Sequence, residues 1–148
     1  MRKQQEQFVF GSIFLLANQL QVVGDTITKE LTLKQWLLLT VVNTINKSEQ
    51  SVTEIANVIG NTRQNVKQML EQLEHKGFII IQKSQTDKRA LSISLTEKCR
   101  TYLVRIEKVG NRFLDKLFED VNESQLAETV NMIQIFFSNI EKLKATND

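Results

Sequence analysis

Proline is missing from this chain, and with only five glycines in 148 residues no Pro-rich or Gly/Ser-rich linker divides it. Long uninterrupted helices account for that absence, because a proline inside a helix removes a backbone hydrogen bond and clashes with the preceding turn. Cysteine occurs once, at Cys99, which excludes an intrachain disulfide and fits a reducing compartment. Histidine also occurs once, at His75, so there is no Cys/His zinc cluster and nothing to complete a Ser/His/Asp set. No glycine-rich phosphate loop is present, nor a carboxylate pair that such a fold would bury in a cleft. Neither enzyme chemistry nor a metal or cofactor is expected. A formal net charge of +2 is too mild to indicate nucleic-acid binding by itself. Met1-Arg2-Lys3 leads into a polar, Gln-rich run rather than a secretory signal, and the apolar stretch after it is interrupted by Asn18, Gln19 and Gln21. The expectation is a cytoplasmic chain with no segment long enough to cross a bilayer and no membrane partner.

What is present centres on residues 51–95. Ser51-Val52-Thr53-Glu54 has the spacing of a capping box, in which serine and glutamate each satisfy an orphan amide of a first helical turn. Ile55, Ala56 and Ile59 give that helix a narrow apolar face, and Gly60 ends it. A second helix starts after Asn61-Thr62, either of which can cap it, and runs to His75-Lys76 before Gly77. At about 100° per residue, Val66, Met69, Leu70 and Leu73 share one arc and point into the core. The opposite arc holds Gln64, Gln68, Glu71 and His75, flanked by Asn65, Lys67 and Gln72, with Arg63 nearer the core edge. Amides and cations predominate in its first half: Gln and Asn can bond an adenine edge, Arg and Lys a guanine or a phosphate. A merely polar outer face is the plain alternative.

Residues 78–83 are apolar and β-branched, and Leu91-Ser92-Ile93-Ser94-Leu95 alternates with period two, so the pair reads as an antiparallel hairpin. The polar loop between them makes it a wing. Asp87 can orient Arg89, which suits the narrow, negative minor groove beside the recognition helix, although a solvated turn with a trivial ion pair fits the same residues. Two short helices in a tight turn followed by a wing form a winged helix-turn-helix.

These residues resemble the MarR group of winged-helix transcriptional regulators. The match includes Leu31-Thr32-x-x-Gln35-Trp36, Val52-Thr53-Glu54-Ile55-Ala56, Leu70-x-x-Leu73-Glu74-x-Lys76-Gly77-Phe78-Ile79, Asp87-Lys88-Arg89 and Leu95-Thr96-Glu97-Lys98. The resemblance implies a homodimer that binds a pseudo-palindromic operator in double-stranded DNA, usually as a repressor, and that a small molecule or an oxidant releases. It places DNA contacts at Arg63, Gln64, Asn65, Lys67, Gln68 and the wing arginine Arg89; Thr62, Asp87 and Lys88 complete the candidate surface. Lys88 stands where the family more often has arginine, and Cys99 where it usually has glycine.

The expected organisation is one mainly α chain, 1–148, with a small β-hairpin wing, a winged-helix core at 32–95 and dimerisation helices at 5–24 and 96–145. The first helix carries Val9, Ile13, Leu16, Ala17 and Leu20 inward, with Phe10 and Phe14 to one side. Thr32 and Gln35 form a second capping box. Thr96 can cap a long helix with Cys99, Leu103, Ile106, Gly110, Phe113 and Leu117 as its stripe, and Asn122 with Gln125 opens a last helix bearing Leu126, Val130, Ile133, Phe137 and Ile140, widened by Met132 and Phe136. Such apolar faces on the first and last helices point to a subunit interface, with intrachain packing as the alternative. A phenolic or other aromatic effector is expected against Phe10, Phe14 and Trp36, residues that a core explains equally well. Cys99, three residues past the Thr96 cap, is either an activated thiol, which would make the chain an oxidant sensor, or a small buried hydrophobe. A winged helix that binds proteins and has lost DNA binding is the rival from another class.

Overall fold

A computed structural model describes residues 1–45, 50–84 and 90–146. Its elements are α1 (Arg2–Thr28), α2 (Leu33–Ile45), β1 (Gln50–Ser51), α3 (Val52–Ile59), α4 (Arg63–His75), β2 (Ile79–Lys83), β3 (Ala90–Leu95), α5 (Glu97–Leu117) and α6 (Glu123–Thr146). The chain forms two compact units, Met1–Gly110 and Asn111–Asp148.

Local chemistry sets the helix starts. The Thr32 hydroxyl accepts from the Gln35 amide while the Gln35 side-chain oxygen accepts from the Thr32 amide, both at 3.2 Å, which is a complete capping box. Ser51 Oγ accepts from the Glu54 amide at 3.0 Å, and Thr62 Oγ1 from the Asn65 amide at 3.2 Å. Asn122 and Gln125 exchange the reciprocal pair of bonds, at 3.0 and 2.9 Å. Gly60 ends α3 at φ 71°, the left-handed conformation that glycine adopts without steric cost.

The core of the first unit lies where α2, α3 and α4 meet the sheet. Leu38, Leu39, Ile55, Val66, Leu70, Leu73 and Phe78 are all buried there, and Trp36 packs partly buried at its margin. The Val66, Leu70 and Leu73 arc of α4 is therefore the inward one, as its spacing requires. The sheet is antiparallel in the order β1-β3-β2. Ile79 pairs with Leu95 and Lys83 with Leu91, while the short β1 adds Gln50 opposite Leu91 and Ser51 opposite Ala90. This third strand is absent from the two-strand expectation.

The first helix is longer than expected at both ends, and one expectation about it fails. Among the described residues α1 is the one helix long and apolar enough to cross a membrane by length and composition, and little of it is buried. Asn18, Gln19 and Gln21 lower the hydropathy but carry no charge, and residues 7–24 hold no charged side chain, so the amides do not interrupt the run. The end of α1 is tied into the fold: Gly24 and Thr28 are buried, Asp25 Oδ1 accepts from the Leu33 amide at 2.6 Å, and Thr28 Oγ1 donates to the Leu31 carbonyl at 2.6 Å.

Along α5, Cys99, Tyr102 and Ile106 are the buried residues, so Tyr102 takes the place expected for Leu103, which is only partly buried. In the second unit α6 has no buried residue among those described.

Candidate nucleic-acid interface

The candidate surface is the outward face of α4. Thr62, Arg63, Gln64, Asn65, Lys67 and Gln68 are all exposed, because the apolar arc on the other side of the same helix is fixed in the core. Their chemical commitments differ. Thr62 is the N-cap, and Asn65 donates its side-chain amide to Asn61 Oδ1 at 3.1 Å, so both help to build the turn. Lys67 lies 3.7 Å from Glu71 with both side chains mostly in solvent, a pairing that water and salt largely screen. Among the described residues no hydrogen bond or ion pair engages the side chains of Arg63, Gln64 or Gln68. Donors and acceptors presented this way at a helix N-terminus can meet base edges and phosphates without first breaking an internal contact.

The C-terminal half of α4 behaves differently, and sequence reading missed it. Gln72, expected on the flank of the outer face, accepts a hydrogen bond at 2.8 Å from Nε2 of Gln35, a buried residue of α2. Lys76 donates from Nζ to Gln35 Oε1 at 3.1 Å and to the Glu30 carbonyl at 3.0 Å. The sequence pattern gives Gln35 a local cap alone; its partner lies 37 positions further on, beyond the reach of any local pattern. Gln68, Glu71, Gln72, His75 and Lys76 line an open depression of about 360 Å³ on this half.

The strands of the wing leave the core together, and the Ser84 amide donates to the Ala90 carbonyl at 3.2 Å where they part. Asp87, Lys88 and Arg89 fall outside the described residues.

Two further expectations can be placed. Cys99 follows Thr96, whose hydroxyl caps α5 by accepting from the Cys99 amide at 3.2 Å. The thiol is not activated by that helix terminus: Cys99 is fully buried, and burial pushes its pKa up, outweighing the opposite pull of Arg100. It is a small core residue. Of the proposed effector-lining aromatics, Trp36 packs against the core, while Phe10 and Phe14 are 67% and 58% exposed and stack edge to face at 5.2 Å. Among the described residues no group of His, Cys, Asp and Glu that could hold a metal occurs.

Comparison with known proteins agrees with this geometry. Residues 31–91 match the model of the MarR family. Solved structures with the same fold include a MarR/EmrR family transcriptional regulator from Acinetobacter sp. ADP1, 20% identical with a TM-score of 0.80 over 93% of this chain and 97% of that one. A MarR family regulator from Neisseria meningitidis is 19% identical with a TM-score of 0.72 over 97% and 99%. The organohalide-sensing RdhR transcriptional regulator, in its 2,4-dichlorophenol-bound form, is 16% identical with a TM-score of 0.78 over 91% and 80%. At such identities the likeness shows a shared fold.

Proposed function

This chain carries a MarR-family segment at residues 31–91 on the fold of MarR regulators, and on that premise we propose that it is a DNA-binding transcriptional regulator acting as a homodimer on a pseudo-palindromic operator. The observation that carries the reading is the uncommitted set Arg63, Gln64 and Gln68 on the exposed first half of α4, backed by a face that cannot turn outward because it is core. Asn65 and Lys67 reach the same groove from the flanks, and Thr62 presents the helix N-terminus to a phosphate. On the same reading Arg89 would extend the contact to the minor groove, oriented by Asp87, with Lys88 on a phosphate. Repression is the mode in which such a protein most simply acts, by occupying a promoter.

Pairing follows from the uncovered apolar surface. On α1, Phe10 and Phe14 lie in solvent, and on α6 Phe137 is 66% exposed with Val130, Ile133 and Ile140 beside it. Faces of this size exceed what a monomer ordinarily leaves in water, and a second copy covers both. A bilayer is a poorer cover for α1, whose last turn is tied by Asp25 and Thr28 into the turn before α2. A two-fold pair places its recognition helices about 34 Å apart, one turn of DNA. An aromatic effector, the class bound by the RdhR regulator, would act by favouring a pair with a different spacing, with Phe10 and Phe14 as its exposed contacts.

The test is a titration of genomic fragments recovered by selection, against random duplex, over a range of salt. A regulator loses affinity steeply as salt rises, with a slope set by the phosphates neutralised. A winged helix that binds only proteins shows no shift at physiological salt. Arg89→Ala is expected to weaken operator binding while folding and pairing stay intact; unchanged affinity removes the wing from the interface.

A further inference from the structure

A helix held only by apolar contacts can roll and slide, since burial is non-directional, whereas hydrogen bonds fix an orientation. In α4 the apolar contacts of Val66, Leu70 and Leu73 are supplemented by side-chain bonds to distant elements at the C-terminal end, whereas at the N-terminal end Thr62 and Asn65 bond only within the turn that starts the helix. Gln35 Oε1 accepts from the Thr32 amide and from Lys76 Nζ, two groups that can only donate. Its oxygen is thereby fixed and its NH2 group must face Gln72, whose oxygen it meets at 2.8 Å. The same lysine donates to the Glu30 carbonyl, and Lys98 of α5 donates to the Lys76 carbonyl at 2.7 Å. The C-terminal end of α4 is thus bonded to α2, to the α1–α2 turn and to α5, while Arg63, Gln64 and Gln68 at the other end carry no such bonds.

We infer that Gln35 is a positioning residue that sets the aim of the recognition helix, acting through Gln72 and Lys76, and that Gln72 serves this clamp rather than a base. The inference rests on the DNA-binding reading above. Its lever arm is long: Gln72 lies nine positions after Arg63, about 13.5 Å at 1.5 Å per residue, so a tilt of about 5° at the clamp moves Arg63 by about 1 Å. That displacement exceeds the roughly 0.5 Å within which a binding constellation has to be held.

The experiment measures the ratio of affinities for a selected genomic duplex and a random duplex of equal length, by fluorescence anisotropy at fixed salt, alongside thermal unfolding. Gln35→Met and Gln72→Met are each expected to lower the ratio about tenfold, and the double variant no further than either single, because they remove the same bond. Gln72→Glu is expected to keep the ratio, since a carboxylate still accepts from the Gln35 amide, even if its charge weakens binding to both duplexes. Loss of the ratio in Gln72→Glu as in Gln72→Met would show a base contact and overturn the inference. So would a Gln35→Met protein that melts earlier yet discriminates as well as the parent. Should Gln35→Met fail to fold, the exposed Lys76→Met breaks the clamp from its other side; a lowered ratio supports the inference and an unchanged one overturns it. A parent protein with no preference between duplexes removes the DNA-binding reading itself, whereas a preference that survives all three methionine variants removes only the clamp.

Discussion

The Tyr102 hydroxyl of α5 donates a hydrogen bond to the carbonyl of Thr28, 3.1 Å away and 74 positions earlier in the chain. Its ring stands edge-on to Phe78 at 5.2 Å, with the Arg105 guanidinium over it at 5.5 Å, and Arg105 also pairs with Glu30. This one side chain joins the end of α1, the start of the wing and α5.

Burial, with a smaller contribution from the Glu30 charge, pushes the Tyr102 phenol from 10.0 up to about 12. The folded state therefore favours the neutral form. The group's contribution to stability is complete below about pH 10 and is lost as pH rises from there through about 12. Tyr102→Phe is expected to cost about 1 kcal/mol at neutral pH for the missing hydrogen bond and to flatten the alkaline fall in stability. Urea unfolding followed by circular dichroism across that range checks both.

Gln68→Ala is expected to leave the melting temperature unchanged, because the side chain is exposed, and to lose about 1 to 3 kcal/mol of discrimination at one base pair. An equal loss on random DNA would reassign the amide to the backbone. Thr62→Ala should behave in the opposite way, lowering stability by about 1 kcal/mol through the lost cap.

Leu73→Ala removes a fully buried side chain at the meeting point of α4 and the core. A loss of about 2 to 5 kcal/mol is expected in chemical unfolding. A near-neutral result would mean that this face of α4 is not the inward one.

The Cys99 thiol should be inert. With its pKa raised by burial, labelling by a disulfide reagent at neutral pH is expected only as fast as the protein opens, and Cys99→Ala should leave operator binding unchanged in the presence and absence of peroxide. Rapid labelling of the folded protein would reopen oxidant sensing.

Phe137→Glu places a charge on the uncovered apolar face of α6. Sedimentation is expected to show weaker pairing and anisotropy weaker operator binding, while the first unit keeps its structure. A variant that pairs as tightly as the parent would exclude this face from the interface.

Most of the fold was legible because it is specified locally. The capping pairs Thr32 with Gln35 and Asn122 with Gln125 act over three residues and signal themselves, and the apolar arc of α4 follows from helical spacing. What escaped depends on partners far along the chain. The strand Gln50–Ser51 has no pattern of its own and exists only because β3 lies beside it. Helical spacing favours Leu103 over Tyr102, because the burial of Tyr102 depends on a carbonyl and a ring supplied by distant elements. By its spacing Gln72 is one more amide on an outward face, and only its bond to Gln35 sets it apart. The face proposed to read DNA was identifiable by chemistry, while the end proposed to aim it was not.

On the proposed pairing, the absence of any buried side chain along α6 makes dilution a stress on this protein. If another copy supplies the missing cover, mass action ties the survival of that helix to abundance. A lone, newly made chain offers it to proteases, while one made amid plenty is sheltered at once. The supply of working molecules then climbs faster than the rate of synthesis, which gives a sharper threshold than a monomer of equal intrinsic affinity.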